Sequence, residues 1–132
     1  MLAAIAAKGV NELTYHRDHA ARWVLRLGDG TTESHRRTQA GVDAVWPLLA
    51  DAFSPTPVEE RLTAAGVAVD PADAREEVRS VLTQVLDQAT LRMPEWPAAA
   101  ASRGRLGEHG QELTDLLGTL QGLARQHPAA TW

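Results

Sequence analysis

Apolar side chains return every three or four residues along most of this chain, a period that belongs to helices with one buried face. Leu2, Ile5, Leu13, Ala20, Trp23, Val24 and Leu27 repeat it first and predict a helix from about Leu2 to Leu27, with that face buried. The segment "LGDGT" closes this helix: Gly28 suits a left-handed position after the last turn, and Gly30 continues the reversal. A second helix is expected from about Glu33 to Phe53, capped by Thr31 or Thr32, with Val42, Val45, Trp46, Leu49 and Phe53 inward. Pro47 removes one backbone donor from it, so a kink is expected near Trp46.

"SPTP" at 54–57 is the clearest break in the chain, and "VEERLTAAG" after it reads as a short amphipathic turn ending at Gly66. The next start signal is Asp70 as cap and Pro71 at the first helical position, with Asp73, Glu76 and Glu77 complementing the helix dipole. That helix should run to about Leu91 and bury Ala74, Val78, Val81, Leu82, Val85 and Ala89. "MPEWPAAAASRGRLG", 93–107, is a connection without periodicity. A last helix, about Gln111 to Arg125, carries a stripe of Leu113, Leu116, Leu117, Leu120 and Ala124, and Pro128 ends it. With strand patterns essentially absent, the fold class is all-α: a helical bundle of about four main helices in one domain over 1–132.

Composition narrows the function classes. The formal net charge is −4 and no basic stripe tracks phosphates, which argues against nucleic acid. His35-Arg36-Arg37 reads as one solvated helix turn. The chain holds no cysteine, so disulfides, thiolate metal sites and a cysteine nucleophile are excluded. The opening residues lack a basic region ahead of an apolar one, and no apolar run reaches membrane-spanning length, so the reading is a cytoplasmic protein without membrane contact.

Glu12, His16 and His19 share one predicted helix face, and side chains at i and i+4 stand one above the other, so a metal site is geometrically open to them. A carboxylate-bridged di-iron bundle, however, needs ligands from four helices, including paired Glu-x-x-His motifs. This chain has no Glu-x-x-His; His109 and Glu112 give only the reversed order. The plain alternative is a hydrogen-bonded structural histidine at position 16. Trp96 is a candidate interface anchor, against the alternative of a ring packed over the bundle end. Arg103 and Arg105 are candidates to meet an anionic partner, against ordinary solvated charge. The residues alone stop at a helical interaction module without an active site.

Several stretches together resemble a known family. "YHRDHAARWVLRLGDGTTESHRR" (15–37), "VDAVWPLLADAF" (42–53), "GVAVDP" (66–71), "ATLRMPE" (89–95) and "GRLGEHGQELTDLLGTLQGLARQHPAATW" (104–132) are similar to C subunits of the phenylacetyl-CoA epoxidase complex. The resemblance implies a ferritin-like fold and a non-catalytic, structural role beside an A subunit. That A subunit would carry the di-iron centre, leaving no cofactor in this chain. It also implies that Glu12 and His16 stand where a relative's Glu-x-x-His would, with the spacing altered. Only about the second half of such a protein is represented, so the chain is expected to be the C-terminal part of a longer one. It departs from the family at His109-Gly110-Gln111-Glu112 and Gly118-Thr119-Leu120-Gln121, where relatives read His-Thr-Glu-His and Ala-Glu-Met-Gln. Apolar faces of the first two helices left uncovered should drive self-association, since each large side chain is worth roughly 1.5–3 kcal/mol on burial. Two other readings stay open: a free-standing ferritin-like metal-binding oxidoreductase, and a generic helical interaction domain.

Overall fold

The computed structural model describes residues 2–130, and it is helical throughout, with no strand among the described residues. Five α-helices run in order: α1 (Leu2–Gly28), α2 (Thr32–Val45), α3 (Pro57–Ala64), α4 (Arg75–Gln88) and α5 (Gln111–Gln126). The all-α expectation therefore holds, and α1, α2 and α4 form the part of the bundle that packs together.

The α1–α2 turn is tightened from both sides. Thr31 caps α2 by accepting from the Ser34 N–H at 3.2 Å, as its residue type and position predict. In return, the Ser34 hydroxyl donates to the Leu27 carbonyl at 2.7 Å, and His35 Nδ1 lies 2.7 Å from the Gly28 carbonyl. Two of the orphan carbonyls that end α1 are thus satisfied by the first turn of α2. His35 is half-buried by this role, so the His35-Arg36-Arg37 turn is solvated only in part.

Gly28 is not the left-handed residue the sequence suggests; it is the last residue of α1 and does not have positive φ. Its glycine is required for a different reason. A Cβ there would lie 2.6 Å from the Ala89 carbonyl oxygen and 2.9 Å from the Ala89 Cβ, so α1 could not approach the end of α4.

Pro47 acts as expected, and its effect is larger than a kink. The α-helix gives way at Trp46 to a 3-10 helical segment, Trp46–Phe53, with the proline in its first turn. The tighter winding turns Trp46, Ala50 and Phe53 inward, and all three are buried. Thr56 and Glu59 then form a reciprocal capping box at the start of α3, with Pro57 in the first helical position. Asp70 Oδ1 accepts from the Ala72 N–H at 2.8 Å, but the turn it caps is 3-10 (Pro71–Ala74) before α4 begins.

The helix that starts there ends at Gln88 rather than about Leu91. Leu91 N–H donates to the Leu86 carbonyl (2.9 Å) and Thr90 N–H to Asp87 (3.0 Å), a Schellman closure in which Thr90 takes the left-handed position with φ 58. This reversal turns Leu91 back into the core beside Trp46, Leu86 and Ala89. Leu86, absent from the inward positions read off the sequence, is the buried residue of α4, and Ala74 is exposed.

The connection after α4 has no helical period, yet it is held as a strap. The Gln39 amide pairs with both backbone groups of Arg92 (3.0 and 2.8 Å), and the Arg92 guanidinium grips both Asp43 oxygens at 2.8 and 2.9 Å. Trp46 Nε1 donates to the Glu95 carbonyl at 3.0 Å, and Ala101 N–H to the Pro47 carbonyl at 3.0 Å. The strap covers what would otherwise be the open side of the 3-10 segment.

Candidate functional site

On α1 the side that packs is Ala21, Val24, Leu25 and Gly28, at the helix's last two turns. Of the inward face expected from the sequence, Val24 packs as expected, but Ile5, Leu13, Ala20, Trp23 and Leu27 are exposed, with Leu13 67% and Trp23 48% accessible; the Leu2 side chain lies outside the described residues. The physical reason is that α2 and α4 meet α1 only near its C-terminal end, so the earlier apolar stripe has nothing from this chain to cover it.

Glu12, His16 and His19 all lie on this uncovered stretch and are exposed. Tyr15 stacks on His19 (ring centroids 6.0 Å, planes 20° apart), and His19 meets Trp23 edge-on at 6.4 Å. The Arg26 guanidinium sits 5.7 Å from the Trp23 ring, a cation–π contact. Spaced four apart, these rings form a column on the side of α1 away from Val24, Leu25 and Gly28. Among the described residues no three His, Asp or Glu side chains come together in a way that could hold a metal ion. Ligands from one exposed helix do not fit a di-iron centre, which requires carboxylates converging from several helices.

Trp96 packs within the chain. It meets Trp46 edge-on at 5.9 Å and tilts against Phe53 at 5.8 Å, and its Nε1 is buried without an acceptor among the described residues. Arg105 is likewise engaged internally. Its N–H donates to Asp51 Oδ2 at 3.1 Å, and its guanidinium binds the Ser54 carbonyl at 3.1 Å and the Glu59 carboxylate. Glu59 is held well below its ordinary range, down to about 2, first by the Thr56 N–H and then by Arg105 and the Thr56 hydroxyl. The arginine therefore ties the strap to α3 rather than offering a free charge. Arg103 is exposed; its N–H donates to Glu108 Oε2 at 2.9 Å, and its guanidinium makes no ion pair among the described residues.

The surface that remains is apolar. A groove of about 390 Å³ opens between α1, α2, the 3-10 segment and α4, walled by Val24, Val42, Val45, Leu49, Leu82 and Val85. Helix α5 exposes its leucine stripe: Leu116, Leu120 and Leu123 are all more than half accessible. Leu116 and Leu120 belong to the stripe read from the sequence, and Leu123 extends it; what the sequence cannot report is that none of the other described helices packs along that face. The described residues thus form a packed junction carrying uncovered apolar faces, the kind of surface that marks interaction sites.

This is a ferritin-like helical protein, and the chain belongs to the phenylacetic acid catabolic protein family, whose match covers residues 1–132. It is similar to the C subunit of the 1,2-phenylacetyl-CoA epoxidase of Escherichia coli (strain K12), being 32% identical over 131 residues. That alignment takes in 99% of this chain and 52% of the relative, so the chain spans about half the length of the curated relative it matches. Family membership ties the chain to phenylacetate catabolism. No described helix is long and apolar enough to cross a membrane.

Proposed function

We propose that this chain is a non-catalytic structural subunit of a phenylacetyl-CoA-epoxidising monooxygenase, seated against a catalytic A subunit that carries the di-iron centre, and that copies of the chain also associate with one another. The observation that carries this reading is the side of α1 turned away from its packing residues, where Tyr15 and Trp23 are exposed with His19 between them and Leu27 is exposed one turn beyond Trp23. A face rich in aromatic and aliphatic side chains on a rigid helix is the composition of an interface centre. The histidines add edge-to-ring contacts to it instead of a ligand set. The similarity to an epoxidase C subunit supports the choice of complex.

The test is size-exclusion chromatography with light scattering on this chain mixed with the A subunit from the same source. A joint peak is expected, and Trp23→Glu should abolish it while leaving the helical circular dichroism of the chain unchanged. Separate peaks with the unaltered chain would reject the scaffold role. Stoichiometric iron in this chain alone, lost in His16→Ala, would replace it with a metal-binding oxidoreductase.

A further inference from the structure

The chain exposes 10070 Å² of surface. A compact monomer of this length exposes about 6,800 Å², leaving an excess of roughly 3,300 Å². An ordinary specific interface buries about 800 Å² per partner, and obligate ones two or three times as much. The excess is therefore large enough for an obligate interface as well as a second, smaller one. Two of its contributors are complementary in kind: a long apolar groove without a filling, and a leucine-faced helix without a seat.

We infer that two copies of this chain exchange α5, each laying its leucine stripe into the other's groove between α2 and α4. This rests on the self-association proposed above and names the elements that perform it. The groove walls are almost wholly apolar, with Val45 61% exposed at the lip, and α5 presents Leu116, Leu120 and Leu123 at helical spacing. The connection supplies the hinge. Up to Arg105 the strap is pinned to Asp51, Ser54 and Glu59, whereas Gly107 (φ 90) and Gly110 bracket the last four residues before α5. Rotation there redirects α5 without disturbing the core. Leu48 lines both the groove and the pocket at the root of α5, beside Leu113, so the helix leaves the body at the groove's edge. A reciprocal exchange closes on itself as a two-fold dimer, so it satisfies both grooves and both helices at once.

The experiment is light scattering on the full chain and on two variants altered at exposed positions, Leu120→Glu in α5 and Val45→Lys at the groove, with circular dichroism to confirm that each keeps its helices. The unaltered chain is expected at twice the mass of one copy, and each variant at the mass of one. Mixing the variants should restore the doubled mass, because one intact helix then meets one intact groove and the altered pair brings opposite charges together. A single-copy mass for the unaltered chain would overturn both self-association and exchange, whether α5 then closes its own groove or a different protein covers it. A dimer that survives either substitution would leave self-association standing and overturn the exchange. So would two monomeric variants that fail to rescue one another.

Discussion

The junction of α1, α2 and α4 and the outlying α5 are built from similar residues and end in opposite states. At the junction, Trp46, Leu86, Ala89 and Leu91 are buried, and Trp46 Nε1 and the backbone groups of Arg92 find partners. Along α5, leucines at equally regular spacing face solvent. The difference teaches that a hydrophobic stripe records the need for a partner, not where the partner is. Burial follows only where a second element arrives within reach, and here the strap, the turn at Gly28 and the closure at Thr90 bring the elements together.

The sharpest way to break this comparison is to truncate one large side chain in each region. Trp46→Ala should cost about 3–5 kcal/mol in urea denaturation, since it removes a buried ring, its bond to Glu95 and its contact with Trp96. That is a large part of the roughly 5–15 kcal/mol that typically holds a domain together. Leu120→Ala, made in a monomeric background, should change stability by less than about 0.5 kcal/mol. Equal losses from the two would mean that α5 is packed within its own chain.

A smaller effect of opposite sign is expected at Thr90. A β-branched residue in the left-handed region costs about 1–2 kcal/mol, and glycine relieves that while giving back part of it as backbone entropy. Thr90→Gly should therefore raise stability by about 1 kcal/mol, read as a higher urea midpoint with an unchanged slope. A loss of stability would show that the Thr90 side chain contributes to the turn more than its backbone strain costs.

The smallest expected effect concerns the strap's tie to α3. Glu59 has a folded-state pKa of about 2, below the ordinary 4.5. Its folded form releases the proton more readily than the unfolded chain, so its contribution is complete above about pH 4.5 and disappears as pH falls towards 2. Glu59→Gln should lower the urea midpoint at neutral pH, with the gap to the unaltered chain closing as pH falls from about 4.5 towards 2. A gap that stays constant with pH would assign the loss to the capping geometry rather than to the carboxylate's charge.

Much of the architecture is legible in the chain because its signals are local. Thr31, Asp70–Pro71 and the stop before Pro128 act through bonds between residues a few positions apart; Thr31 and the stop appear where the sequence places them, and Asp70 caps the 3-10 turn that leads into α4. The absence of a Glu-x-x-His motif is likewise a statement about the sequence itself. What the sequence conceals depends on contacts between residues far apart along the chain. Gly28 suggests a backbone role, whereas its constraint is the close approach of Ala89. Arg105, although exposed, is tied to Asp51, Ser54 and Glu59, and Trp96 packs against Trp46 and Phe53, contacts that no local pattern announces.

By itself, then, the sequence determined that the chain is all-helical, where most helices begin, and which side of each is apolar, because helix period and capping are settled within a turn or two. Only the tertiary structure decided which of those apolar sides are satisfied. That depends on the three-dimensional approach of α1, α2 and α4, and it leaves the outer face of α1, the groove and the leucine face of α5 uncovered among the described residues.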